Sequence, residues 1–277
     1  SNTKTGNAWE KIFKALNLSA GLKKHGFVFV TADQIKKYGQ REPRLIGNPL
    51  TREERRTELL RNVTILPVSS GVYGLYRFDG YHDLEKLPKV QSYKTNELSR
   101  LQTLRLSEIS TESQALDTAF TVSLLKHFIG EKDLSLTIRG KQGLTPFRFG
   151  VRMENGREKN IRVGNVGIEV DAGYEGRRVY LFEAKIGNRN NFLVRQLYYP
   201  FRAWSQKVRK EIVPIFFTFS NGEFGFWRYK FVRKNRYDSL RFIEGGKFVI
   251  NERAQETFSY QSILSQARHV LNPRAIP

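Results

Sequence analysis

Gly167-Ile168-Glu169-Val170-Asp171-Ala172-Gly173-Tyr174-Glu175-Gly176-Arg177-Arg178-Val179-Tyr180-Leu181-Phe182-Glu183-Ala184-Lys185 is the stretch on which the fold turns. It reads as two strands, 166–172 and 177–186, joined by a tight turn at Glu175-Gly176. Val179, Tyr180, Leu181 and Phe182 favour a strand, and the flanking glycines mark its ends. Side chains alternate along a strand, so Glu183 and Lys185 share one face with Ala184 opposite, and Glu169 and Asp171 share a face on the first strand. Paired, the two strands bring two carboxylates and an ammonium to one place. Two carboxylates suit a hard divalent cation such as Mg²⁺, which keeps part of its water shell and takes further oxygens from phosphate. Such a cation acidifies water and stabilises charge on an attacked phosphate.

Asp171, eleven intervening residues and then Glu183-Ala184-Lys185 resemble the PD-(D/E)xK nuclease motif. Val170 stands where the family has its proline. The order of elements around the motif is similar to that of the superfamily, and most of all to type II restriction endonucleases. The resemblance implies an α/β (α+β) fold with a restriction-endonuclease-like core, a mixed central sheet flanked by helices. It implies that Asp171 and Glu183 hold Mg²⁺, or Mn²⁺ in its place, that the Ala184 carbonyl completes the shell, and that Lys185 assists the attacking water. Glu169 becomes a candidate for a second metal or for supporting the first, and Gln196 resembles a glutamine found near the active site of some relatives. A packing role for Gln196 is the alternative. Glu112, at the start of a helix, either offers an acid to the metal or stabilises the helix N-terminus.

Composition points the same way. The 277 residues carry 47 Lys+Arg against 27 Asp+Glu, a net charge of +20. Residues 1–105 hold 19 basic and 10 acidic residues and 106–277 hold 28 and 17, so the excess is spread along the chain. A chain this basic throughout matches a polyanion, nucleic acid first, with a solvated basic surface as the alternative; the nuclease resemblance implies double-stranded DNA as the partner. The absence of cysteine excludes disulfides and thiolate metal sites, and His25, His82, His127 and His269 have no ligand spacing. No apolar run approaches the ~18 residues of a membrane span. A cytoplasmic, prokaryotic enzyme is expected, as a homodimer candidate with a cognate DNA methyltransferase in the same system.

Three regions are expected. Residues 1–80 form a DNA-recognition module. A helix over 8–18, a strand over 26–30, a helix over 31–38, a helix over 51–61 and a hairpin from strands 63–68 and 72–78 make it winged-helix-like. Gly71-Val72-Tyr73-Gly74-Leu75-Tyr76 is similar to half of the GIY-YIG nuclease signature but reads as the turn and core aromatics of this hairpin. Residues 81–110 connect, and 111–277 form the PD-(D/E)xK catalytic domain. Within it we expect a helix over 111–129, strands over 134–139 and 147–153, a basic loop at 140–146, a charged turn at 154–160, a helix over 190–210, strands over 213–219, 225–232 and 241–250, and a closing helix over 254–270.

Basic candidates for DNA contact in the module are Lys36, Lys37, Arg41 and Arg44, with Arg52, Arg55 and Arg56 on its helix over 51–61; the alternative for these last three is a solvated helix face. Arg139, Lys141, Arg148, Arg189, Arg195, Arg233, Lys234 and Arg236 lie in the catalytic domain. The expected function is Mg²⁺-dependent hydrolysis of double-stranded DNA at a short specific sequence. The alternatives are a repair, recombination or structure-selective nuclease of the same superfamily, and a non-catalytic DNA-binding protein whose hairpin acids are structural. Counterion release gives about −0.9 in the slope of log K against log [salt] per phosphate neutralised. Duplex titrations at several salt concentrations should therefore show a steep negative slope, and a slope near zero would remove nucleic acid as the partner.

Overall fold

A computed structural model describes residues 3–252; the helix expected over 254–270 lies outside the described residues. The chain opens with α1 (Lys4–Leu16), capped by the Thr3 hydroxyl, which accepts the Gly6 N–H. Trp9, Ile12 and Phe13 face inward at helical spacing. Asn17 turns the chain in the left-handed region into α2 (Leu18–His25). Strand β1 (Phe27–Thr31) follows, then α3 (Ala32–Gly39), which opens on a full capping box between Thr31 and Gln34. A single turn, α4 (Pro43–Ile46), and the strands β2 (Thr64–Ser69) and β3 (Val72–Tyr76) complete the module. Its antiparallel sheet has the order β1-β3-β2.

The helix expected over 51–61 is replaced by two 3-10 turns, Glu53–Arg55 and Glu58–Leu60. Tertiary contacts override local propensity here. Arg52 binds Asp79 and Asp83, and buried Arg55 donates to the carbonyls of Leu60 and Val63 beneath the Tyr81 ring. Both arginines are structural ties, not a phosphate-tracking helix face.

The rest of the chain is built on a seven-stranded mixed sheet. Across it run β5 (Gln91–Thr95), β14 (Leu240–Glu252), β13 (Glu223–Phe231), β12 (Ile212–Ser220), β10 (Val179–Ile186), β9 (Gly167–Glu175) and β6 (Ser135–Gly143). The pairs β10–β12 and β14–β5 are parallel and the others antiparallel. Helices α5 (Glu112–Thr121) and α6 (Leu124–Ile129) cover one face, burying Leu116, Ala119 and Leu125 against Tyr174, Tyr180, Phe182 and Phe217. The single helix expected over 111–129 breaks between them, where Ser123 adopts φ 62°. Helix α7 (Arg195–Trp204) covers the other face with the hairpin β7 (Phe147–Arg152) and β8 (Glu158–Val163).

Three further boundaries differ from expectation. The loop expected at 140–146 is largely strand, because β6 runs on to Gly143. The turn expected at 154–160 is present but shorter, because β8 begins at Glu158 and pairs with β7. The helix expected over 190–210 starts only at Arg195, because β11 (Asn191–Leu193) pairs with β4 (Tyr81–Asp83) first. Pro200 sits inside α7 without ending it.

The module is not an appendage. Leu66, Val68 and Tyr76 on its sheet belong to the same buried cluster as Phe149, Val151, Tyr198, Tyr199 and Tyr237. The turn beyond β7 is fastened to it as well, since Glu154 accepts from Asn62 and Arg77. Among the described residues no helix is long and apolar enough to cross a membrane. Phe149 is 1% exposed and meets the rings of Phe147, Tyr198, Tyr199 and Tyr237. Phe149→Ala should cost about 3–5 kcal/mol. In urea, measured by tyrosine fluorescence and circular dichroism together, module and sheet should lose structure in one transition; two separated transitions would show that the shared core does not couple them.

A candidate two-carboxylate active site

The β9–β10 ladder runs from Val179↔Glu175 to Phe182↔Ala172 and stops there. Beyond it, β10 continues in parallel with β12 to Ile186. Strand β9 carries an irregularity at the same place: Ile138 faces Gly173 and Gly140 faces Val170, so two steps of β6 match three of β9. The extra residue is a bulge at Asp171-Ala172, which re-aims a side chain and ends pairing. Gly173 permits the close approach, since a Cβ there would lie 2.6 Å from the Ile138 side chain. The Asp171 carboxylate takes over as hydrogen-bond partner, its Oδ2 accepting the Ala184 N–H at 2.7 Å.

Glu183 and Lys185 share the face covered by α7, as alternation requires, and the Lys185 Nζ lies 2.6 Å from Glu183 Oε1. The first turn of α7 brings Gln196, whose amide also donates to Glu183 Oε1. Among the described residues, Asp171 Oδ1 and Glu183 Oε2 receive no hydrogen bond, so each carboxylate keeps one free oxygen. The site lies at the carboxyl end of a parallel strand, where the following connection leads into a helix N-terminus, the usual ligand position in sheets of this kind.

The electrostatics follow from burial. Glu183 is 8% exposed. Burial, helped by Asp171 and opposed by Lys185, raises its pKa to about 7. Asp171 is also raised, by burial first, with the charges of Glu112 and Glu169 adding; Lys185 and the Ala184 N–H oppose the rise. Desolvation tends to lower Lys185, but Glu183 and Asp171 outweigh it and hold the ammonium charged. Two acids raised together, each with a free oxygen, form a site short of positive charge, and that donor set fits a hard divalent cation. Glu112 acts on Asp171 and Lys185 from the start of α5, across the sheet from α7.

The other residues singled out in the sequence are placed as follows. Ala184 sits between Glu183 and Lys185 on β10, and Glu169 faces Lys141 across the β6–β9 pair. Arg195 precedes Gln196 on α7 and is half-buried. Arg189 is half-buried and donates to the Asn188 carbonyl. Arg41, Arg44, Arg148 and Arg233 are exposed, and Lys234 is exposed while donating to the Ser205 carbonyl. Lys36 lies 3.6 Å from Glu42, and Lys37 lies over the Tyr38 ring. Arg139 pairs with Asp117, and Arg236 with Glu158 and Asp238, which offsets the charge either would offer a phosphate. The bulge was not read from the sequence, although a glycine inside a strand is a signal for one. The cavity of about 500 Å³ lined by Phe13, Leu22, Arg61 and Arg77 shares no residue with the carboxylates.

Residues 76–249, more than half of the chain, match the family model described as Domain of unknown function (DUF6997). Residues 6–75 match the model described as Domain of unknown function (DUF6996). No curated protein and no solved structure matches the chain.

The raised acid gives a pH dependence. Without a cation the folded protein holds a proton on Glu183 that the unfolded chain releases between its ordinary pKa of 4.5 and about 7, so stability falls as pH rises through that window. A cation has to displace the same proton, so its affinity should rise about tenfold per pH unit below that pKa and level off above it. The increase in melting temperature produced by Mg²⁺ should be larger at about pH 8 than at about pH 5.5, and Glu183→Gln should abolish it. An equal Mg²⁺ effect at both pH values would place the cation elsewhere.

Proposed function

The chain belongs to the DUF6997 family, and we propose that it is a Mg²⁺-dependent deoxyribonuclease of the type II restriction class, with a restriction-endonuclease-like core and a winged-helix-like recognition module. The observation that carries this reading is the pair of raised carboxylates, Asp171 and Glu183, at the point where β9 and β10 part, with Lys185 beside them. Asp171 Oδ1, Glu183 Oε2 and the Ala184 carbonyl would hold the cation. When bound, it would acidify water and stabilise charge on the phosphate.

The chain's own groups have separable roles in this reading. The Ala184 N–H fixes one oxygen of Asp171 and leaves the other without a hydrogen bond. Gln196 fixes Glu183 in the same way. The Lys185 ammonium orients the attacking water and places positive charge where the phosphate gains negative charge. The water oxygen bonds to phosphorus as the bond from phosphorus to the 3′ oxygen breaks; the attacking water gives up its proton to solvent, the leaving 3′ oxygen takes one from solvent, and a 5′-phosphate and a 3′-hydroxyl remain. Glu169 supports the site from β9. The β1-β3-β2 sheet with its preceding helices supports sequence-specific recognition by the module, with Arg41 and Arg44 exposed around α4.

Asp171→Ala and Glu183→Ala should each abolish cleavage of a plasmid in Mg²⁺, a loss of at least about 10³-fold, while duplex affinity measured in Ca²⁺ stays close to wild type. A variant that cuts at near the wild-type rate with the same metal would show that the assigned acid is not part of the site.

A further inference from the structure

Arg195 is the cation of this region that the site's own acids do not neutralise. It stands at the first position of α7, half-buried, with its Nε enclosed and without a hydrogen-bond partner. Among the described residues it makes no ion pair. Its guanidinium lies 5.5 Å from the centre of the Tyr199 ring. Burial raises Tyr73, Tyr81, Tyr199, Tyr237 and Glu183, and the positive charge of Arg195 opposes the rise at every one of them. The group therefore sits where β3 of the module, the segment at Tyr81 and the candidate active site meet. Among the described residues the Nε of Arg55, Arg202 and Arg228 is likewise enclosed without a partner, but each of those guanidinium groups is held through another nitrogen: Arg55 by two carbonyls, Arg202 by the Arg148 carbonyl and the Tyr198 hydroxyl, and Arg228 by Glu244. The Arg195 Nε is withdrawn from water with no acceptor, and the planar fork of N–H donors it belongs to matches the non-bridging oxygens of a phosphate.

We propose that Arg195 is a phosphate-binding residue, which takes a backbone phosphodiester of the DNA where the strand passes from the recognition module to the carboxylates. The assignment rests on the nuclease reading for the identity of the strand, while the phosphate chemistry stands on Arg195 itself. Arg195→Met and Arg195→Lys are compared with wild type after near-ultraviolet circular dichroism has verified folding. Duplex binding is titrated in Ca²⁺ at several salt concentrations. Inorganic phosphate is tested separately by its effect on melting temperature, against chloride at equal ionic strength.

In Arg195→Met, duplex affinity at low salt should fall about tenfold or more, and the salt slope should become shallower by about 0.9, the share of one phosphate. Arg195→Lys should recover the slope but only part of the affinity, because the charge returns without the fork. Folded variants with wild-type affinity and slope overturn the assignment, and so does failure of both variants to fold, which would make Arg195 a structural group. Wild type that binds phosphate through Arg195 yet binds no duplex at any salt overturns the nuclease reading and leaves the phosphate seat standing.

Discussion

The hydrogen bond from the Ala184 N–H to the Asp171 carboxylate, at the end of the β9–β10 ladder, is the contact on which the rest of the site depends. A backbone N–H in a sheet must be satisfied. Here an acidic side chain does it where β9 has bulged away from its neighbour. Because a side chain takes that role, the carboxylate is held to one orientation and the two strands part beside it. Glu183 and Lys185 then face the space covered by α7, and β10 remains anchored on its other edge by the parallel ladder to β12. Had β9 continued in register without the bulge, Asp171 would have been one more side chain of a closed ladder.

The helices on the two faces shape the electrostatics as well as the core. Helix α5 brings the charge of Glu112 to Asp171, and α7 brings Gln196 to Glu183 and the charge of Arg195 beside it. Each carboxylate is withdrawn from water by this packing, and one ammonium is shared between them. A buried cluster with more acid than base keeps its protons until an added positive charge displaces them. The same packing that stabilises the sheet thus raises both acids.

The aromatic cluster around Phe149 explains why the N-terminal module cannot be treated as a bead on a string. Its sheet presents Leu66, Val68 and Tyr76 to the same interior as Tyr198, Tyr199 and Tyr237. The segment after α4 is fastened to the chain leading into α7: Leu193 donates to the Leu50 carbonyl, Asn191 accepts from the Arg52 N–H, and the Asn191 amide donates to Glu53. Module, connection and the first turn of α7 therefore form one continuous piece of hydrogen-bonded structure beside the carboxylates.

Much of this was legible in the sequence, for a definite reason. The apolar runs at 179–182 and 213–219 mark strands by composition, and Glu183 and Lys185 fall on one face because side chains alternate. Thr31 with Gln34 and Thr111 with Gln114 mark helix starts, because a hydroxyl three residues before an amide satisfies N–H groups locally. Those are local facts, and the chain carries them without its partners. Where distant groups compete with local preference, the sequence reading fails. The segment 51–61 has helix signals, yet Asp79 and Asp83 draw Arg52 out of a regular helix. Residues 191–193 leave α7 for a bridge to β4, and 111–129 bends at Ser123 to keep both of its halves on the sheet. Arg139 and Arg236 look like free basic residues until Asp117, Glu158 and Asp238 are placed against them. The sequence by itself determined the mixed strand and helix content and the placing of Glu183 and Lys185 on one face of a strand. The tertiary structure alone decided the bulge that parts the strands, the burial that raises the acids and the isolation of Arg195, because each depends on groups far apart in the chain that only packing brings together.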